Sequence, residues 1–103
     1  MLPSRRSVPN TIDIAALHAL QQARRLRAKG DVRRMLTVLA QACALHENDA
    51  RLWAMYGALL AEHGRKEEAK RALRRALFLR HLARDAPRER STRALLERLE
   101  TAA

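Results

Sequence analysis

The chain has 103 residues, 48% of them hydrophobic and only 3% aromatic, with 21 Lys and Arg against 11 Asp and Glu for a formal charge of +10. One modest core is the limit at this length, since folding hides roughly 65% of the surface the unfolded chain exposes. Charged residues interrupt every apolar stretch before the roughly 18 to 20 residues a membrane span needs, so no transmembrane segment is expected. With Trp53, Tyr56 and Phe78 as the only aromatics, the core must come from Ala, Leu and Met. Ala, Leu, Arg, Glu and Gln, all good helix formers, dominate after residue 12, and an all-α fold is the consequence.

Residues 1–10 carry two prolines, two serines and two arginines without periodicity and read as a flexible basic arm. They contain no apolar h-region behind the arginines, so no secretory leader is read there and a cytoplasmic setting is expected. Asn10 or Thr11 can cap the first helix, with Asp13 in its first turn, where a carboxylate complements the helix dipole. That helix runs to about residue 28 and places Leu17, Leu20, Ala23 and Leu26 on one face, flanked by Ile12, Ala16 and Ala19.

Lys29-Gly30-Asp31 is a stop and then a start, because glycine takes the left-handed C-terminal conformation and Asp31 can cap the second helix. Such a short turn forces an antiparallel hairpin. The second helix, about 32–46, sets Met35, Leu36, Leu39, Ala42 and Cys43 at core spacing, and Glu47-Asn48-Asp49 breaks it. Cys43, the lone cysteine, reads as a small buried hydrophobe. A third helix, about 50–63, carries Trp53, Tyr56, Gly57 and Leu60 and is closed by Gly64. The fourth begins near residue 65 and carries Ala69, Leu73, Ala76, Leu77 and Leu79; nothing breaks it before Asp85-Ala86-Pro87, so it is expected to reach about residue 84. Pro87 is tolerated in a first turn, which permits a fifth helix over about 87–100 with Leu95, Leu96 and Leu99 as its stripe.

Gly30 and Gly64 stand 34 residues apart, and laying 16–49 over 50–83 pairs Ala23 with Gly57, Leu26 with Leu60, Met35 with Ala69, Leu39 with Leu73 and Ala42 with Ala76. A period near 34 with small and apolar residues in register marks stacked helical hairpins, which present surfaces to partners. The second unit resembles a tetratricopeptide repeat: Trp53, Tyr56, Gly57, Leu60, Ala69, Leu73 and Ala76 occupy the seven positions of that family's pattern. The first unit fits less closely, with Ala19 at the Trp position and Gln22 at the position of Tyr56. After residue 83 the pattern fails, because Pro87 falls where a third unit puts its aromatic residue, and 87–100 reads as a capping helix. The expected architecture is a short α-solenoid of two antiparallel hairpins and a cap, one domain over 11–101.

The resemblance implies a scaffold whose first helices line a concave groove for a peptide or partner helix, and it places Leu17, Leu20, Arg24, Arg27, Arg51, Ala54, Ala58 and Glu62 near that groove. It makes Trp53 a structural residue. The family's chaperone-binding branch grips a C-terminal carboxylate with Lys and Asn, but the corresponding places hold Leu20, Arg24 and Met55, so that function is not implied. A small secretion chaperone that sheaths an export subunit has a chain of about this size and stays an alternative, against which the basicity argues. The partner expected is another protein, one with an acidic segment among the candidates; self-association stays open.

A second basic feature lies on the fourth helix, where Lys66, Lys70, Arg71, Arg74 and Arg75 form neighbouring stripes, with Arg80 and Arg84 beyond them. The repeat geometry puts this cluster on the convex side. A solvated face is its simplest reading, contact with an acidic protein the second, and nucleic acid or anionic lipid the third. No exposed aromatic is interleaved for base stacking and no helix-turn-helix is present. His18, His46, His63 and His81 lie far apart and lack metal-ligand spacing. No phosphate-cradling glycine loop or nucleophile with a nearby base is evident either. Neither a metal, a cofactor nor catalysis is expected. The competing function is a basic helical protein that binds nucleic acid.

Overall fold

Three turns of the same construction set the architecture. At the first, the Asp31 N–H donates to the Leu26 carbonyl at 2.9 Å and the Gly30 N–H to the Arg27 carbonyl at 3.0 Å. The pair recurs as Arg65 to Leu60 with Gly64 to Ala61, and as Asp85 to Arg80 with Arg84 to His81. This double bond closes a helix by turning one residue left-handed, and Gly30, Gly64 and Arg84 have φ of 78°, 80° and 57°. The computed structural model describes residues 13–101 and resolves them into five helices: α1 (Ile14–Ala28), α2 (Val32–Leu45), α3 (Ala50–Glu62), α4 (Lys66–Leu82) and α5 (Ala86–Thr101). No strand occurs among the described residues. The all-α arrangement of helical hairpins is therefore as the sequence predicts, and most helix ends fall within a residue of expectation.

Two local expectations need correction. Asp13 does not sit in the first turn of α1 but is its N-cap, its Oδ1 accepting from the N–H groups of Ala15 at 2.9 Å and Ala16 at 3.3 Å. Asn10, Thr11, Ile12 and the arm 1–10 lie outside the described residues. The α4 helix stops at Leu82 and does not reach Arg84, because Arg84 itself adopts the left-handed turn without a glycine to announce it. Asp85 then caps α5 through its contact with the Arg88 N–H at 3.3 Å, leaving Pro87 in the first turn, where its missing N–H costs nothing.

The core is assembled from small and medium side chains. Ala16, Leu20 and Ala23 of α1 meet Met35, Leu36, Leu39, Ala42 and Cys43 of α2; Leu52, Leu59 and Leu60 of α3 continue it, and Ala69, Ala72, Leu73 and Ala76 of α4 complete the second hairpin. The tightest point is Gly57, where a Cβ would lie 2.7 Å from Leu73 Cγ and 2.8 Å from Leu73 Cδ2. Absence of a side chain there is what lets α3 and α4 approach. The aromatics work at the margins: Trp53 and Tyr56 are half-buried and packed on the core with rings 6.5 Å apart, whereas Phe78 is exposed.

The α2–α3 turn is built differently, with no left-handed residue. Its Glu47 carbonyl accepts from Trp53 Nε1 at 2.8 Å and from Arg75 Nε and Nη2 at 3.2 Å, while the same guanidinium donates to Asn48 Oδ1 at 2.9 Å. Asp49 caps α3 by accepting from Arg51 and Leu52 N–H at 3.0 and 3.2 Å. Asp13 Oδ2 reaches His46 Nδ1 at 3.1 Å, tying the start of α1 to the end of α2. On the far side α5 packs along α4 and touches α3, placing Leu96 and Thr92 in the interior and Leu99 against the core.

Candidate partner-binding groove

The apolar faces of α1 and α3 are not fully spent on their own hairpins. Leu17, Leu20 and Arg24 of α1 and Arg51, Ala54, Met55 and Ala58 of α3 border a trough of about 590 Å³, floored by Leu73 of α4. Six of the eight residues expected at the groove, Leu17, Leu20, Arg24, Arg51, Ala54 and Ala58, are therefore together on it. The other two, Arg27 and Glu62, are not part of its lining. They engage each other, Arg27 Nη2 lying 2.9 Å from both carboxylate oxygens of Glu62, and so clasp the C-terminal ends of α1 and α3.

The far wall is supplied by residues the sequence pattern did not assign to the site. From α5 come Ser91, Thr92, Leu95 and Arg98, and from α4 comes Arg80. Arg80 belongs with the trough and not with the convex cluster in which its neighbours along the sequence suggested it. It lies seven residues beyond Leu73, and two helical turns bring it back to within about 20° of the face Leu73 buries. That heptad step was the available signal. For Thr92 it was the four-residue step to Leu96, hidden because α5 reads as a lid with a leucine stripe alone.

Four arginines and no carboxylate line the trough. Arg24 and Arg98 make no side-chain hydrogen bond or ion pair among the described residues, and Arg51 lies 3.7 Å from Asp49. Its hydroxyls are committed, Ser91 Oγ donating to the Arg88 carbonyl at 3.1 Å and Thr92 Oγ1 to the same carbonyl at 2.7 Å. The lining thus offers apolar contact and positive charge. It offers no group to take up a proton near neutrality.

The expected basic face on α4 is largely engaged. Lys70 Nζ lies 3.0 Å from Glu67, Arg74 Nη2 lies 3.2 Å from Glu100, and Arg75 holds the α2–α3 turn while its guanidinium stands 5.8 Å from the Phe78 ring centre. Lys66 also has a partner, and Arg71 is exposed. Cys43 is buried, and burial, with the charge of Asp49 adding, pushes its thiol up to about 12. Such a thiol is inert at neutral pH. His46, His63 and His81 each face a carboxylate in a different part of the molecule, and among the described residues no three His, Cys, Asp or Glu side chains converge to hold a metal ion. No helix among the described residues is long and apolar enough to cross a membrane. The chain matches no protein-family model, no curated protein and no solved structure.

Proposed function

We propose that this protein is a non-catalytic partner-binding module of the tetratricopeptide type, an adaptor, chaperone or assembly factor that holds a helix or peptide of another protein in the trough. The observation that carries the reading is the lining itself: an apolar strip of Leu17, Leu20, Ala54, Ala58 and Leu95 edged by four arginines, contributed by four helices. An apolar groove between helices is a standard receptor for an amphipathic segment, and the arginine edge adds charge selectivity. A cytoplasmic setting suits a chain whose one cysteine is an unpaired buried thiol.

The test is capture of the partner from the native host with the full chain as bait, identification by mass spectrometry, and calorimetric titration of that partner against two variants with unchanged helicity. Ala58→Trp fills the trough, and Arg24→Glu with Arg51→Glu reverses its edge. Each is expected to weaken binding at least about tenfold, about 1.4 kcal/mol. Undiminished affinity in both variants overturns the assignment. Tight, steeply salt-dependent binding of duplex or single-stranded nucleic acid, lost on removing the α4 arginines, would replace it with the nucleic-acid reading.

A further inference from the structure

Arg80 of α4 is half-buried and meets α5 through a single side-chain hydrogen bond. Arg65 pairs with Glu68, Arg74 with Glu100, Arg88 with Asp85 and Arg93 with Glu89, but Arg80 has no carboxylate within ion-pair distance among the described residues. Its one partner is Thr92, whose Oγ1 accepts from Arg80 Nη1 at 2.7 Å. Thr92 is 4% exposed, and its single hydroxyl proton is already given to the Arg88 carbonyl at 2.7 Å. The hydroxyl therefore acts toward Arg80 purely as an acceptor and fixes one corner of the guanidinium. The remaining N–H groups of that planar fork have no hydrogen-bond partner among the described residues, and Arg80 lines the trough together with Arg98.

Burial, and after it the like charge of Arg88, lowers the affinity of Arg80 for its proton, while Asp85 and Asp49 act the other way from beyond ion-pair distance. A cation held half-buried with no carboxylate in direct contact is a standing electrostatic cost that an incoming anion relieves. An arginine fork favours a planar carboxylate in two-point contact. The apolar strip beside it accommodates a segment with an apolar face and acidic flanks.

We infer that Arg80, oriented by Thr92, is the anchor for a glutamate or aspartate side chain on an acidic amphipathic helix of a partner protein, whose apolar face lies on Leu17, Leu20 and Leu95. The inference rests on the partner-binding reading of the trough and names the chemistry of its occupant. Arg51 and Arg98 contribute attraction along the edges, and Arg80 supplies the geometric selectivity. Thr92 is a positioning residue.

The probes are a synthetic helical peptide of Leu, Ala and Glu with the glutamates flanking one apolar face, and its counterpart with every Glu replaced by Gln. Both are titrated by fluorescence anisotropy against the full chain. The Glu peptide is expected to bind at least about tenfold more tightly than the Gln peptide. Arg80→Met removes that preference, and Thr92→Val reduces it several-fold. Arg80→Lys, which keeps the charge and loses the fork, falls between wild type and Arg80→Met and stands in should the Met variant fail to fold. Arg90→Met, on an exposed part of α5, leaves the preference unchanged. Full preference in the Arg80 variants, or no binding of the Glu peptide to the wild-type chain, overturns the inference. Equal binding of both peptides that Ala58→Trp abolishes also overturns it while leaving the trough as the partner site; Glu-peptide binding that survives Ala58→Trp removes the trough reading itself.

Discussion

Replacing Gly57 with alanine tests the closest helix contact in the fold. The new Cβ would stand 2.7 and 2.8 Å from Leu73 Cγ and Cδ2 and 3.2 Å from the Leu73 backbone nitrogen. Carbon atoms in comfortable contact are about 3.5–4.0 Å apart, so the shortfall is close to an ångström. Leu73 is 1% exposed, the contact falls on its Cγ as well as its chain end, and its backbone nitrogen moves only with α4. Overpacking of this kind costs about 1–3 kcal/mol, and the better helix propensity of alanine returns about 1 kcal/mol. The net loss is about 1 kcal/mol, or about 4–8 °C in Tm for a domain of this size. The sharper readout is a double-mutant cycle in urea monitored by circular dichroism. Leu73→Ala alone costs about 2–5 kcal/mol, but in Gly57→Ala/Leu73→Ala the clash is gone and the propensity gain remains, so the double variant is more stable than the sum of the singles by about 1–3 kcal/mol. Additivity within about 0.5 kcal/mol, or a Gly57→Ala chain more stable than wild type, refutes the close approach.

Three further substitutions probe the backbone and the core. Arg84→Gly relieves a side chain held at φ 57° and is expected to raise stability by about 0.5–1 kcal/mol, whereas Gly64→Ala, at φ 80° with open space around it, loses about 1–2 kcal/mol to backbone strain alone; thermal melts showing the opposite signs would overturn the turn assignment. For Cys43, the folded thiol keeps its proton up to about 12 while the unfolded one releases it near its ordinary 9.0, so stability is independent of this group at lower pH and falls between those values as pH rises. The fall is up to about 1.4 kcal/mol per pH unit, and Cys43→Ala removes that share of the slope in urea titrations at about pH 8 and about pH 10.5; an unchanged slope contradicts the burial.

Helix order and much of the core were legible because their determinants are local. Met35, Leu36, Leu39, Ala42 and Cys43 fall on one face by periodicity, and all five are buried. Gly30 and Gly64 marked turns that only a residue tolerant of positive φ makes cheaply. The same logic failed at Arg84, where the tertiary position of α5 holds an ordinary residue in that conformation, and at Asp13, whose capping role depends on where the chain first turns helical. At the trough, the repeat register groups the α1 and α3 residues that line it, Leu17, Leu20, Arg24, Arg51, Ala54 and Ala58. Arg27 and Glu62 stand outside that lining, and register alone does not reveal that they satisfy each other. Arg80 and Thr92 were missed because their significance arises from a contact between α4 and α5, and composition had counted Arg80 among solvent-facing cations.

The Glu47 carbonyl also bears on how the two hairpins are joined. Both groups that grip it, the Trp53 indole and the Arg75 guanidinium, belong to the second hairpin, while the Arg27–Glu62 pair ties the far ends of α1 and α3. The first hairpin is thus joined to α3 at both ends of that helix, and the two share one core. Arg75 is outside the trough, and its hold on the turn lies at the N-terminal end of α3, the helix that carries Arg51 and Ala54.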